Sequence, residues 1–253
     1  IRGVSNSTVT FSASGTNPQA DTIQIESGNS QSATVGSALA LPLAVATLGS
    51  GSSASGQLVT FSATSGSLST SAIVSSASGI ARTVWTMPQG AGIYTCTASA
   101  GTLAGSPLIF SATANAGTAT QLILVTQPSS QPEVGVAWPQ QPVVASADQY
   151  GNLVSTNTRV QCVLLSGDGT LASGVSTFAT ASGATATFSG LSYTYTSINS
   201  FQVGFRCNSL STVTASVQTS QAPFASKLAF TTQPPSSVAT GATLAPSPQV
   251  TVQ

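Results

Sequence analysis

Leu122-Ile123-Leu124-Val125-Thr126-Gln127-Pro128 decides the fold, because it returns as Leu228-Ala229-Phe230-Thr231-Thr232-Gln233-Pro234, 106 positions later. The same offset carries Gly135 onto Gly241 and Pro142 onto Pro248. A looser copy lies 99 positions earlier, with Gly36 in place of Gly135. There Leu41-Pro42-Leu43-Ala44-Val45 stands where Gln141-Pro142-Val143-Val144-Ala145 stands later. Thr8-Val9-Thr10-Phe11-Ser12-Ala13 resembles Pro107-Leu108-Ile109-Phe110-Ser111-Ala112 at the same 99-residue offset. A unit of about a hundred residues is the size of one β-sandwich, and self-similarity at fixed spacing marks an array.

The repeat predicts the domain plan. Residues 1–17 are expected to be the last strand of a preceding domain, 18–117 one full domain, 118–225 a second, and 226–253 the start of a further one. Short linkers are expected at 112–118 and 221–226, and the sequence is expected to be a window on a longer chain. Within each copy the elements read as strands. Leu58-Val59-Thr60-Phe61-Ser62-Ala63, Ile93-Tyr94-Thr95-Cys96-Thr97-Ala98 and Val203-Gly204-Phe205-Arg206-Cys207 alternate with period two, which puts one set of side chains on a core face. Glycine-bearing turns separate them, at Ser65-Gly66, Ser78-Gly79, Ser166-Gly167-Asp168-Gly169 and Ser182-Gly183. No stretch carries a capped 3.6-residue period.

Composition narrows the function. Of the 253 residues only 4% are charged, with 5 Lys+Arg, 5 Asp+Glu and a formal net charge of zero, while 41% are hydrophobic. Ample core material separates this chain from a disordered one. The solvent-facing positions fall to Ser, Thr, Gln and Asn, whose hydroxyls and amides hydrate without titrating. Such a surface lacks the charge repulsion that keeps proteins apart, so shielding by neighbouring copies, a fibre lattice or attached sugars is expected. With no basic stripe to neutralise phosphates, nucleic-acid binding is not expected. The longest apolar run, 38–46, is too short to span a bilayer, so no membrane insertion of this segment is expected.

Several motifs together resemble bacterial immunoglobulin-like repeats of the invasin/intimin type. They are Thr126-Gln127-Pro128 with Gly135 and Pro142-Val143-Val144, then the turn Asp148-Gln149-Tyr150-Gly151-Asn152. The turn Ser166-Gly167-Asp168-Gly169-Thr170-Leu171 follows, and then Gly183-Ala184-Thr185-Ala186-Thr187-Phe188-Ser189-Gly190-Leu191. In the earlier copy Gly79 to Met87 and Gly92 to Ala98 fill the later places. The resemblance covers nearly the whole chain. It implies an all-β fold of tandem immunoglobulin-like β-sandwich domains in a linear array, located outside the cell, on a cell surface, filament or virion. It carries no catalytic residue. The earlier copy departs from it by having Leu48-Gly49-Ser50-Gly51-Ser52-Ser53-Ala54-Ser55-Gly56 in place of the Asp-x-x-Gly-Asn turn.

That frame places Cys162 on a second strand and Cys207 on a sixth, facing each other across the sandwich, where antibody domains carry their inter-sheet disulfide. A Cys162–Cys207 bridge is expected, and with it an oxidising compartment; the alternative is two reduced, buried thiols. Cys96 aligns with Cys207, and Phe61 aligns with Cys162, so Cys96 is expected to be a buried free thiol against Phe61 or a cross-link to another chain.

Chemistry is sparse. There is no histidine, which removes the commonest general base and the usual zinc and copper ligands. The carboxylates Asp21, Glu26, Glu133, Asp148 and Asp168 are scattered; Asp148 and Asp168 fall in turns, where aspartate bonds its own backbone. No catalytic, cofactor or metal site is expected. Trp85, Trp138, Tyr150, Tyr193 and Tyr195 offer a sugar platform on one reading and packing on the other; packing is favoured, with Trp85 in a core and Trp138 near a domain joint. Asn6-Ser7-Thr8 is an N-glycosylation sequon. The expected function is a non-catalytic rod or filament of serial domains that self-associates into a fibre or array. The alternative is an adhesin stalk or virion fibre touching a host surface or glycan through a tip outside this segment.

Overall fold

The computed structural model describes residues 18–172, 177–194, 200–207, 210–218, 228–243 and 245–252, and every element described is a β-strand. The chain divides into two compact units at Gly117/Thr118.

The first unit contains β1 (Thr22–Ser27), β2 (Gln31–Thr34), β3 (Leu43–Gly49), β4 (Ser52–Ser53), β5 (Leu58–Ala63), β6 (Ser67–Leu68), β7 (Ala72–Val74), β8 (Ile80–Thr83), β9 (Trp85–Thr86), β10 (Gly92–Ser99) and β11 (Leu108–Asn115). One sheet places β3 between β1 and β8, with the short β4 at its end. The other runs β2-β11-β10-β5-β7. The first, second and fifth principal strands therefore share one sheet, and the third, sixth and seventh share the other. This is the strand division of an immunoglobulin-like sandwich. Alternation explains the core: Val59 and Phe61 of β5 and Cys96 and Ala98 of β10 are buried, while Leu58, Thr60 and Ser62 face outward. These buried side chains pack with Leu43, Val45, Trp85, Met87 and Phe110 in one cluster.

The second unit contains β12 (Gln121–Thr126), β13 (Val143–Ala147), β14 (Arg159–Ser166), β15 (Thr170–Leu171), β16 (Phe178–Thr180), β17 (Thr185–Thr187), β18 (Tyr193–Thr194), β19 (Ser200–Cys207) and β20 (Leu210–Gln218). It has the same two layers. β12-β13-β17 corresponds to β1-β3-β8, and β16-β14-β19-β20 to β7-β5-β10-β11; one parallel bridge, Gln121↔Ser211, joins the layers at their edge. Its core gathers Trp138, Val144, Val160, Phe188, Leu191, Tyr193, Phe201 and Phe205.

The first two strands of each copy keep one register. β1 pairs with β3 with a shift between Ile25 and Ser27, and β12 pairs with β13 with a shift between Leu124 and Thr126. β21 (Leu228–Thr232) and β22 (Gln249–Val252) form a hairpin with the same shift between Phe230 and Thr232. The bulges recur at the 99- and 106-residue offsets read from the residues. A bulge fixes register because it leaves one residue unpaired and bends its strand.

Candidate functional site

The polar groups that sequence analysis singled out serve turns. Asp148 follows β13 directly and is buried. Its carboxylate accepts the backbone N–H of Tyr150 at 2.9 Å and of Asn152 at 3.0 Å, and the Asn152 side-chain amide at 2.9 Å. Its carbonyl accepts from Gln121 Nε2 at 2.6 Å, which ties the turn to β12. The first unit has glycine at the equivalent Gly49, where an added Cβ would strike the carbonyl of Gln19. The carboxylate comes from elsewhere: Asp21, just before β1, accepts the Ser50 backbone N–H at 2.9 Å. The Thr22 hydroxyl, then the Ser50 amide, hold the Asp21 carboxyl below its usual range. Ser50 sits at φ 50° and Gly51 at φ 77°, so the turn needs a cap and a glycine to hold its left-handed backbone. Sequence comparison could not find this exchange, because Asp21 is remote from the turn along the chain.

A buried hydroxyl repeats beside each of these turns. Thr47 Oγ1 donates to Ala54 O at 2.6 Å and also faces Gly79 O at 3.0 Å. Ser146 Oγ sits 2.7 Å from Val154 O, 3.3 Å from Ala184 O and 2.9 Å from Thr156 Oγ1. Each hydroxyl pins two loops to the central strand of its sheet. An aromatic side chain also closes each lower turn. Trp85 Nε1 donates to Ser65 O at 3.0 Å, and Tyr193 Oη accepts from Gly169 N–H at 2.8 Å while stacking on Phe201. Gly66, at φ 81°, has no room for a side chain, since a Cβ there would meet Thr86 O.

Cys162 and Cys207 depart from the expected pairing. All three are free and buried. Cys162 lies on β14, the third principal strand, because the Pro-Val strand β13 takes second place. β14 and β19 are neighbours in one sheet, with Cys162 opposite Phe205. Cys207 is two residues beyond Phe205, so the thiols lie on a diagonal. Diagonal cross-strand positions are roughly 7–8 Å apart, whereas a disulfide needs Cα atoms within about 4.4–6.8 Å. No disulfide joins them in this structure, and the two side chains pack in the core as small apolar groups. The register also corrects the alignment of Cys96. Ala98 pairs with Phe61 as Phe205 pairs with Cys162, so Cys96 occupies the place of Val203, and Ala100 that of Cys207. Burial pushes the Cys96 thiol up to about 11 and the Cys162 thiol up to about 12. Cys96 shares its core with Phe61.

Trp85 and Trp138 are both fully enclosed in the cores of their units, and Tyr193 packs with them in kind; Tyr150 is 41% exposed on the Asp148 turn. Tyr195 and Asn6 lie outside the described residues. Among the described residues no three His, Cys, Asp or Glu side chains gather as metal ligands, and no helix is long and apolar enough to cross a membrane. A surface recess of about 530 Å³ lies between the end of β5 and residues 66–71 and is lined by Ser62, Ser69, Thr70 and Ser71 beside Phe61 and Leu68. No acid or base lines it.

The architecture defines the class: the chain is all-β and immunoglobulin-like. No protein family and no curated protein matches it. Among solved structures it is similar to the D0-D1 domain of intimin, at 16% identity over 79% of this chain and 98% of that one, with a TM-score of 0.31. It is also similar to the Yersinia pseudotuberculosis adhesin InvE, at 17% identity over 78% of this chain and 58% of that one, TM-score 0.33. A third similar structure is a glycosyl hydrolase family 2 member from Bacteroides cellulosilyticus, at 14% identity over 74% of this chain and 23% of that one, TM-score 0.35. The chain spans less than two thirds of the last two. The likeness is one of fold.

Proposed function

We propose that this chain is a stretch of an extracellular, non-catalytic structural protein, a rod or stalk built of immunoglobulin-like domains in series. The observation that carries the reading is where the polar chemistry goes. Asp21, Asp148, Thr47, Ser146 and Tyr193 all satisfy backbone groups at turns, and the strongest polar contacts serve shape rather than a cleft. The near absence of surface charge supports association with copies of itself in a fibre or array, or shielding by sugars with Asn6 as one acceptor. An adhesin stalk that presents a host-binding or glycan-binding tip is the nearest alternative, favoured by the names of intimin and InvE. Electron microscopy of the native material tests the reading. Thin beaded threads or stalks are the expected image, and isolated compact particles would overturn it.

A further inference from the structure

Tension applied to the ends of a domain loads its first and last strands, so their pairing decides what yields first. In the first unit the N-terminal segment continues from β1 into β2, which runs parallel to the last strand, β11. β2 lies along β11 from Gln31 opposite Ala112 to Thr34 opposite Asn115. Val35 N–H donates to Asn115 O and Ser30 N–H to Ser111 O, both at 2.9 Å. The Asn29 side-chain oxygen adds a bond from Ser111 N–H at 2.9 Å. Parallel neighbours pulled from opposite ends are sheared. Their bonds share the load and must break together, whereas strands pulled from the same end unzip one bond at a time.

Among the described residues, the second unit lacks this clamp. The 99-residue offset sets Pro128 at the place of Asn29 and Pro132 at the place of Ala33. Ala33 is two residues before Val35, so strand alternation points its N–H the same way, toward β11. Proline has no N–H to give, and Pro128 has no carboxamide. Residues 130–133 form no strand. Among the described residues, β12 meets β20 through the single parallel bridge Gln121↔Ser211. The other terminal ladder is matched in the two units, since β1–β3 and β12–β13 share register and bulge. The difference between the units is therefore the clamp itself.

We infer that the second unit is a compliant link in series with a stiff first unit, extending first when the chain is pulled. The inference rests on the structural reading for its biological setting, while the asymmetry belongs to the molecule. Single-molecule force extension of the chain, held at both ends, tests it. Two unfolding events are expected at separate forces, each releasing on the order of 350 Å for about a hundred residues at up to ~3.6 Å each. Asn29→Ala lowers the higher-force event and leaves the lower one in place. Ala33→Pro brings the higher event down to the lower. If Ala33→Pro prevents folding of the first unit, the higher event vanishes, and Asn29→Ala alone decides. Equal forces in the unmodified chain, or a higher event that Asn29→Ala does not move, would overturn the inference. Compact particles by microscopy together with two separate forces would defeat the rod and leave the clamp standing.

Discussion

Trp138 and Leu191 occupy the two positions that Leu39 and Trp85 occupy in the first unit, with the large and small side chains exchanged. Trp138 N–H donates to Leu191 O at 2.8 Å, as Leu39 N–H donates to Trp85 O at 2.9 Å, and all four side chains are buried. The large side chain therefore comes from opposite members of the matched pair in the two cores. Trp138→Leu alone is expected to destabilise the second unit by about 2–4 kcal/mol through the cavity it leaves, and Leu191→Trp alone to overpack it. The double exchange restores part of the loss, with a coupling of about 1–2 kcal/mol by chemical denaturation. Strictly additive losses would contradict this account. The indoles also differ: Trp85 Nε1 reaches Ser65 O, whereas Trp138 Nε1 has no hydrogen-bond partner. Trp85→Phe should therefore cost about 1 kcal/mol more than Trp138→Phe.

The hydroxyl pins carry a second prediction. Thr47→Val keeps the shape of the side chain and strips the proton from two loop carbonyls. Ser146→Ala does the same in its unit. Each is expected to cost about 0.5–1.5 kcal/mol, the net worth of a hydrogen bond, and to speed amide exchange at Ala54 or Val154. Unchanged exchange at those amides would show that the loops do not depend on the hydroxyl.

Asp148→Ala removes a buried carboxylate that receives several N–H donors. About 2–3 kcal/mol of the second unit's stability is expected to go with it, since bonds to a charged group are worth roughly 1.5–3 kcal/mol. Thermal melting checks this. In the first unit the corresponding dependence falls on Asp21, and it is a matter of pH. Its folded-state carboxyl lies below the ordinary 3.8, so its contribution is whole above that value and is lost as pH falls through the lower folded value. The Ser50 amide resonance should hold its position to a pH below the ordinary aspartate midpoint and then move.

The thiols make a fourth test. With the folded values raised to about 11 for Cys96 and about 12 for Cys162, both stay protonated and unreactive in the native chain at neutral pH. The sign follows from linkage: the unfolded chain loses these protons first, so the thiols' contribution to stability is constant below about pH 9 and falls as pH rises from there toward the folded values. Native protein should resist alkylation, and denatured protein without reductant should take up three equivalents, one for each cysteine. A single equivalent would mean that Cys162 and Cys207 are joined.

Much of the fold was legible because period-two alternation and the Gln-Pro strand are local signals. Val59, Phe61, Cys96 and Ala98 face inward as their alternation requires. Sheet membership was less legible. The sequence reading places Cys162 on a second strand, yet Val143–Ala147, nearly all buried, holds that place. Alignment by residue type set Cys96 against Cys207, whereas the hydrogen-bond register sets it against Val203. Exchanges between remote positions, Trp138 with Leu191 and Asp21 for Asp148, leave no mark in either local stretch. They satisfy one steric or hydrogen-bonding demand from two different places in the chain.

Each core holds one of the two tryptophans, so the central claim, a chain of separately cored immunoglobulin-like sandwiches, has a direct optical readout. Equilibrium unfolding is followed by the fluorescence of Trp85 in a Trp138→Phe background and of Trp138 in a Trp85→Phe background. Thr47→Val should then shift the Trp85 transition and leave that of Trp138 where it was, and Ser146→Ala should do the reverse. Both tryptophans moving together with either substitution would mean one shared core, and would contradict the account.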